Sequence, residues 1–230
     1  MSARIIRISP KQQRSQSRVS KILEIAGELF ESRGLEAVTL SDIAARAKIT
    51  RSSLYRYFPD KNAVIKALAQ LHMDKLKLEF DALFLTGAGL TESPRAGKSY
   101  SGTTDHCEQQ LGRQQLFTGI DKIIDVYADF YCHQPGFSAV WGAMASIPEL
   151  QLLDDQELHY HGSVFYRQTR QLFPDIDEQQ LKIISTMLPR EVGAVLRLAM
   201  SAKPEDAAAY IFEAKHMAKA YLLSLCRQDN

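Results

Sequence analysis

The stretch Thr50-Arg51-Ser52-Ser53-Leu54-Tyr55-Arg56-Tyr57-Phe58-Pro59-Asp60-Lys61 crowds guanidinium, hydroxyl, phenol and ammonium groups into one short run. Such groups have a shared chemistry. Arginine forks onto the O6 and N7 edge of guanine, and serine and tyrosine hydroxyls donate to phosphate oxygens. A lysine at a helix start adds its charge to backbone N–H groups that already favour an anion. On this reading Arg51, Ser52 and Arg56 face base edges. Thr39, Ser53, Tyr55, Tyr57 and Lys61 face phosphates, and Thr50 joins the set as the cap of the helix that carries them.

Residues of this kind act together only if a scaffold holds them outward. Thr39 or Ser41 can cap a first helix, with Leu40, Ile43, Ala44 and Ala47 on one apolar face. Lys48-Ile49 makes a turn, and a second helix runs from Arg51 to Phe58, where Pro59 ends it. Leu54 and Phe58 lie four apart and face inward with Ile49. Ahead of the pair, a helix from about Ser17 to Ser32 carries Ile22, Ile25, Ala26, Leu29 and Phe30 on one face, and Gly34 stops it.

These residues carry a resemblance. The segment from about Ser20 to Leu68 resembles the DNA-binding domain of tetracycline-repressor-like (TetR family) transcription regulators, on the pattern Leu54-Tyr55-Arg56-Tyr57-Phe58 followed by Lys61. The resemblance implies an all-α, two-part protein: a three-helix helix-turn-helix domain over residues 17–63, with the motif at 39–58, and a larger helical domain over 64–227 that binds ligand and dimerises. Lys48 is a departure, because the family commonly has glycine in this turn. A left-handed backbone there costs another residue about 1–2 kcal/mol.

Charge distribution agrees with a polyanion-binding end. The formal net charge is +1. Residues 1–66 hold 13 Lys/Arg against 6 Asp/Glu, and the remaining chain holds 15 against 21. Residues 1–16, with Arg4, Arg7, Lys11 and Arg14 among Ser and Gln, read as a flexible basic arm in which Pro10 breaks any helix. No apolar run approaches the ~18 residues of a membrane span. The start lacks a signal-type apolar core, and three cysteines without a close motif suit a reducing compartment. A cytoplasmic protein with no membrane partner is expected.

Past the helix-turn-helix, Asp60 can cap a helix from Lys61 to about Phe84. Residues 86–106 are rich in Gly, Ser and Thr and read as a mobile insertion. Helices then follow over about Thr118–His133, Phe137–Ile147, Pro148 to Leu172 or Phe173, Glu178–Ser201 and Glu205–Leu225. Pro189 should bend the fourth of these. No strand is expected.

The last two helices carry apolar faces too wide for a single partner helix. The family resemblance turns this into a homodimer through those two helices, with recognition helices about 34–36 Å apart on a palindromic operator. It also implies a small-molecule inducer held in a cavity of the body, and so a repressor released by ligand. Candidate lining residues are Tyr127, Tyr131, Trp141, Met144, His161, Phe165, Met187 and Glu191, although aromatic and methionine side chains at helical spacing also make ordinary core. Asp154, Asp155 and Glu157 read as a solvated acidic patch. No nucleotide-binding glycine loop, nucleophile elbow or chelating histidine pair is present, so neither catalysis nor a metal or other cofactor is expected. The competing readings are a helical small-molecule-binding protein or enzyme with a non-functional helix-turn-helix head, and a dimeric scaffold.

Overall fold

One long helix and two short ones close around a small core at the head of the molecule. The computed structural model describes residues 10–84, 103–144 and 146–225. In it α1 (Pro10–Arg33), α2 (Leu40–Arg46) and α3 (Arg51–Tyr55) bury Ile22, Ala26 and Phe30 against Val38, Ile43, Ala44 and Leu54. The α1–α2 link turns at Gly34, whose φ of 78° is left-handed and suits a residue without a Cβ.

The start of α1 differs from expectation. Pro10 opens this helix instead of breaking it, because a proline at the first helical position has no N–H to leave unbonded. Residues 10–16 of the expected basic arm are therefore helical, while 1–9 lie outside the described residues. The recognition helix is also shorter than expected. It ends at Tyr55, and Arg56 and Tyr57 form the turn beyond it, where the Tyr57 and Phe58 N–H groups both donate to the Leu54 carbonyl. Pro59 makes its preceding residues leave the helix early.

From the head, α4 (Lys61–Phe84) runs into a body built from α5 (Thr103–His133), α6 (Phe137–Ala143), α7 (Pro148–Leu172), α8 (Glu178–Ser201) and α9 (Pro204–Leu225). Among the described residues there is no strand. Most of the expected insertion, residues 86–102, lies outside the described residues, but its end does not. Thr103–His106 already belong to α5, which begins fifteen residues before the expected start at Thr118. Gly112 hid that continuity, and the helix uses it to seat Leu172 of α7 against its backbone.

Two backbone contacts fix how the layers meet. Gly136, at φ 75°, lies so close to α1 that a Cβ there would sit 2.7 Å from the Cα of Gly27. The body thus touches the first helix of the head where Gly136, at the α5–α6 turn, meets Gly27 of α1. Behind it, a Cβ on Gly162 of α7 would sit 2.8 Å from the carbonyl oxygen of Ser185 in α8. Pro189 has no N–H to offer the carbonyl four residues before it, so the helix leaves the Ser185 oxygen free and a glycine packs there.

Candidate nucleic-acid interface and ligand cavity

The helix-turn-helix is capped twice. Thr39 accepts from the Asp42 N–H at 3.2 Å, while the Thr39 N–H donates to Asp42 Oδ2 at 2.8 Å, a reciprocal capping box at the start of α2. Thr50 accepts from the Ser53 N–H at 3.2 Å and starts α3. Between them Lys48 takes φ 54°, the left-handed value that the turn demands. The Ile49 N–H then donates to the Ala44 carbonyl at 3.0 Å and closes the turn.

With Leu54 and Phe58 buried, α3 presents Arg51, Ser52 and Tyr55 to solvent on its opposite side, and Arg56 at its C-cap is exposed with them. Tyr55 is 49 % exposed, which leaves its hydroxyl in reach of a partner. Lys48 is exposed beside them. The expected set divides here. Ser53 and Tyr57 are half-buried, and Tyr57 packs on the core. The Thr39 hydroxyl proton is already given to Asp42 Oδ2 at 2.6 Å, so Thr39 does not donate to a phosphate while the box is intact. Thr50 is similarly engaged with the Ser53 hydroxyl at 2.9 Å.

Lys61 departs furthest from expectation. Its ammonium donates to the carbonyl oxygens of Leu35 at 2.9 Å and Glu36 at 3.3 Å, in the loop joining α1 to α2. Two of its three protons serve the fold, and one is left for an anion. Spacing along the chain gave no sign that residues twenty-five positions upstream would fold over the start of α4.

In the body, a cavity of about 350 Å³ opens among α4, α5, α6, α7, α8 and α9. Of the candidate lining residues, Tyr127, Trp141, His161, Phe165 and Glu191 stand in its wall. Tyr131, Met144 and Met187 do not. Tyr131 turns into a ring cluster with Phe137 at 5.0 Å and Trp141 at 5.4 Å. Met144 is buried, and Met187 lies on another side of α8 from the wall formed by Leu188 and Glu191. Helical spacing could not separate these residues, because both cluster and cavity present apolar faces at the same period.

The polar groups of the cavity are distinctive. The Tyr127 hydroxyl lies 3.3 Å from His161 Nδ1. Burial, with Lys77 nearby, holds His161 down at about 4, so the ring is neutral at pH 7. Burial also pushes the Tyr127 phenol up. The expected solvated acidic patch is instead split three ways. Asp155 is exposed and pairs with Arg190 at 2.7 Å. Glu157 turns inward, with Oε2 buried and unpartnered 3.9 Å from His161 Nε2, and burial raises its carboxyl pKa. Asp154, half-buried, lines the cavity, and burial raises it too. Successive residues on a helix lie about 100° apart, so one acidic run can meet water, core and cavity at once. Asp154, expected in the solvated patch, and Arg197, which the sequence did not single out, both line the cavity.

On α8 and α9, Ile183, Leu198, Tyr210, Phe212 and Leu223 remain exposed, Phe212 by 64 %. Ala214 and Ala218 of α9 are buried within the chain itself. Among the described residues no helix is long and apolar enough to cross a membrane.

Known proteins were compared with this chain and its fold. A family model described as bacterial regulatory proteins of the tetR family matches residues 22–68, and one described as a tetracyclin repressor-like C-terminal domain matches 115–226. Over 70 residues the chain is 34% identical to the HTH-type transcriptional repressor KstR2 of Rhodococcus jostii, covering 30% of this chain and 34% of that one. Over 75 residues it is 33% identical to the regulator AcrR of Shigella flexneri, covering 31% and 35%. These matches span about a third of the length of the curated relatives. Among solved structures, a transcriptional regulator from Rhodococcus sp. Rha1 superposes with a TM-score of 0.62 at 13% identity, covering 90% of this chain and 96% of the other. SmeT, the repressor of the Stenotrophomonas maltophilia multidrug efflux pump SmeDEF, does so with 0.59 at 20%, covering 88% and 89%. Those likenesses carry the fold, and the two family models together cover both its head and its body. The chain belongs to the TetR family of transcription regulators.

Proposed function

We propose that the protein is a homodimeric repressor that binds a palindromic operator through α3 and is released by a small molecule held in the body cavity. The observation that carries this reading is the solvent-facing set Arg51, Ser52 and Tyr55 of α3 with Arg56 at its C-cap, held outward by the burial of Leu54 and Phe58. Arg51, Ser52 and Arg56 read base edges. Tyr55 binds phosphate, with Ser53, Tyr57 and the remaining Lys61 proton at the margin. The exposed apolar residues on α8 and α9 support packing against a second copy, whose two-fold axis would repeat the head on the next turn of DNA.

Release follows if ligand binds better to a body shape whose heads no longer match the half-sites, by the difference in affinity between the two shapes. The Gly27–Gly136 contact supplies a short route. Trp141 lines the cavity from α6, and α6 begins at the residue after Gly136, which bears on α1. Titrating labelled operator against protein over a range of salt tests the reading. Affinity should fall steeply with salt, and Arg56→Ala should flatten sequence preference more than it lowers non-specific affinity. Equal loss on all sequences would contradict the base-reading role.

A further inference from the structure

We propose that the cavity selects lipophilic organic cations, holding an aromatic body among Phe80, Tyr127, Trp141 and Phe165 with its positive nitrogen directed at Asp154. The inference rests on the reading of the cavity as the inducer site and names the ligand class for it.

The charged groups of the lining are unequal. Arg190 lines the cavity too, but its guanidinium is committed to Asp155 at 2.7 Å. Glu191 and Arg197 are exposed and keep their water. Asp154 alone is a half-buried charge, and among the described residues no Lys or Arg forms an ion pair with it. Arg190 and Arg197 lie near enough to offset part of the burial and too far to cancel it, since the carboxyl pKa remains raised. Asp154 therefore brings to the wall a carboxylate whose desolvation is only partly offset and which no ion pair neutralises.

Filling the cavity makes that imbalance decide the ligand. A neutral body displaces the water that still solvates Asp154 and leaves the carboxylate worse off. An anion adds like charge. A cation replaces the lost hydration with a direct ion pair, and the ring faces add cation–π attraction. Tyr127 and Trp141 meet edge to face at 5.6 Å, and both line the cavity. At about 350 Å³ the cavity has room for three rings.

Trp141 is the sole tryptophan, so its fluorescence reports on the cavity wall directly. The test titrates the full chain at pH 7 with 9-anthracenylmethylammonium, 9-anthracenemethanol and 9-anthracenecarboxylate, which share one ring system and differ in charge. The ammonium should bind at least about tenfold more tightly than the alcohol, with the carboxylate weakest. Asp154→Asn should bring the ammonium to the alcohol's affinity. Tightest binding by the carboxylate, abolished in Arg197→Ala, would overturn the proposal, as would equal binding of all three. Equal binding that still releases DNA overturns the charge selection and leaves the inducer site standing. Absence of binding by any of the three overturns both.

Discussion

Lys61 Nζ donates to the carbonyl oxygen of Leu35 at 2.9 Å, pinning the loop between the first two helices to the start of the fourth. A charge-assisted hydrogen bond of this kind contributes about 1.5–3 kcal/mol, and the half-exposed setting points to the lower end. Lys61→Met should therefore lower folding stability by about 1–2 kcal/mol in a denaturant melt, along with DNA affinity. A lysine serving phosphate alone would leave the melt where it was.

The left-handed residues Gly34, Lys48 and Gly136 give a graded set. Lys48→Gly should stabilise the protein by about 1 kcal/mol, because lysine at φ 54° bears a strain that glycine lacks. Gly34→Ala should cost about 1 kcal/mol, since nothing lies within 4 Å of a Cβ there. Gly136→Ala should cost clearly more, because the added carbon meets backbone of α1 at 2.7 Å as well as the strain. Thermal melts of the three variants check the order.

Acid should unfold the body through its histidines. His72 and His161 are 2 % and 8 % exposed, and burial, aided by Lys75 and Lys77 respectively, lowers each from 6.5 to about 4. Between those values the unfolded chain binds more protons than the folded one, so stability falls as pH falls. Each histidine then costs about 2 kcal/mol by pH 5. Asp154 and Glu157, raised by burial, work in the opposite sense: the stability they add is present in acid and lost as pH rises through their folded pKa. Their window begins in the ordinary carboxylate range and extends above it, so the histidine loss is read from pH 7 down to about 5.5, where the free imidazole titrates. His72→Asn should show roughly half the wild-type loss over that interval in denaturant melts.

What the sequence disclosed and what it concealed follow from the range of the interactions involved. Caps, turns and apolar periods act within a few residues, so the Thr39 and Thr50 caps, the burial of Leu54 and Phe58, and the helices Pro148–Leu172 and Glu178–Ser201 were legible. Lys61 on Leu35, Asp154 in the cavity and the Gly27–Gly136 contact each join elements far apart in sequence, where no local pattern records the partner. Pro10 misled for a different reason. Proline forbids a helix interior and favours a helix start, and only the neighbouring structure shows which applies.

Phe212 and Leu198 should report on assembly. They stand 64 % and 58 % exposed on α9 and α8, a poor arrangement for a lone chain. Sedimentation should find the wild type as a dimer and Phe212→Glu as a monomer at micromolar concentration, with α-helical content unchanged by circular dichroism. A monomeric wild type, or a dimer indifferent to the charge, would move the interface elsewhere.

The exposed face of α3 is tested most directly by selecting bound fragments from a random duplex DNA pool at low ionic strength. The recovered sequences should contain two inverted half-sites, with centres about 34–36 Å or a multiple of that apart along the helix axis, and Arg51→Ala or Arg56→Ala should erase preference at particular positions within each. Recovery of no common sequence, or of a lone half-site whose enrichment survives both substitutions, would contradict the assignment of this helix to the operator.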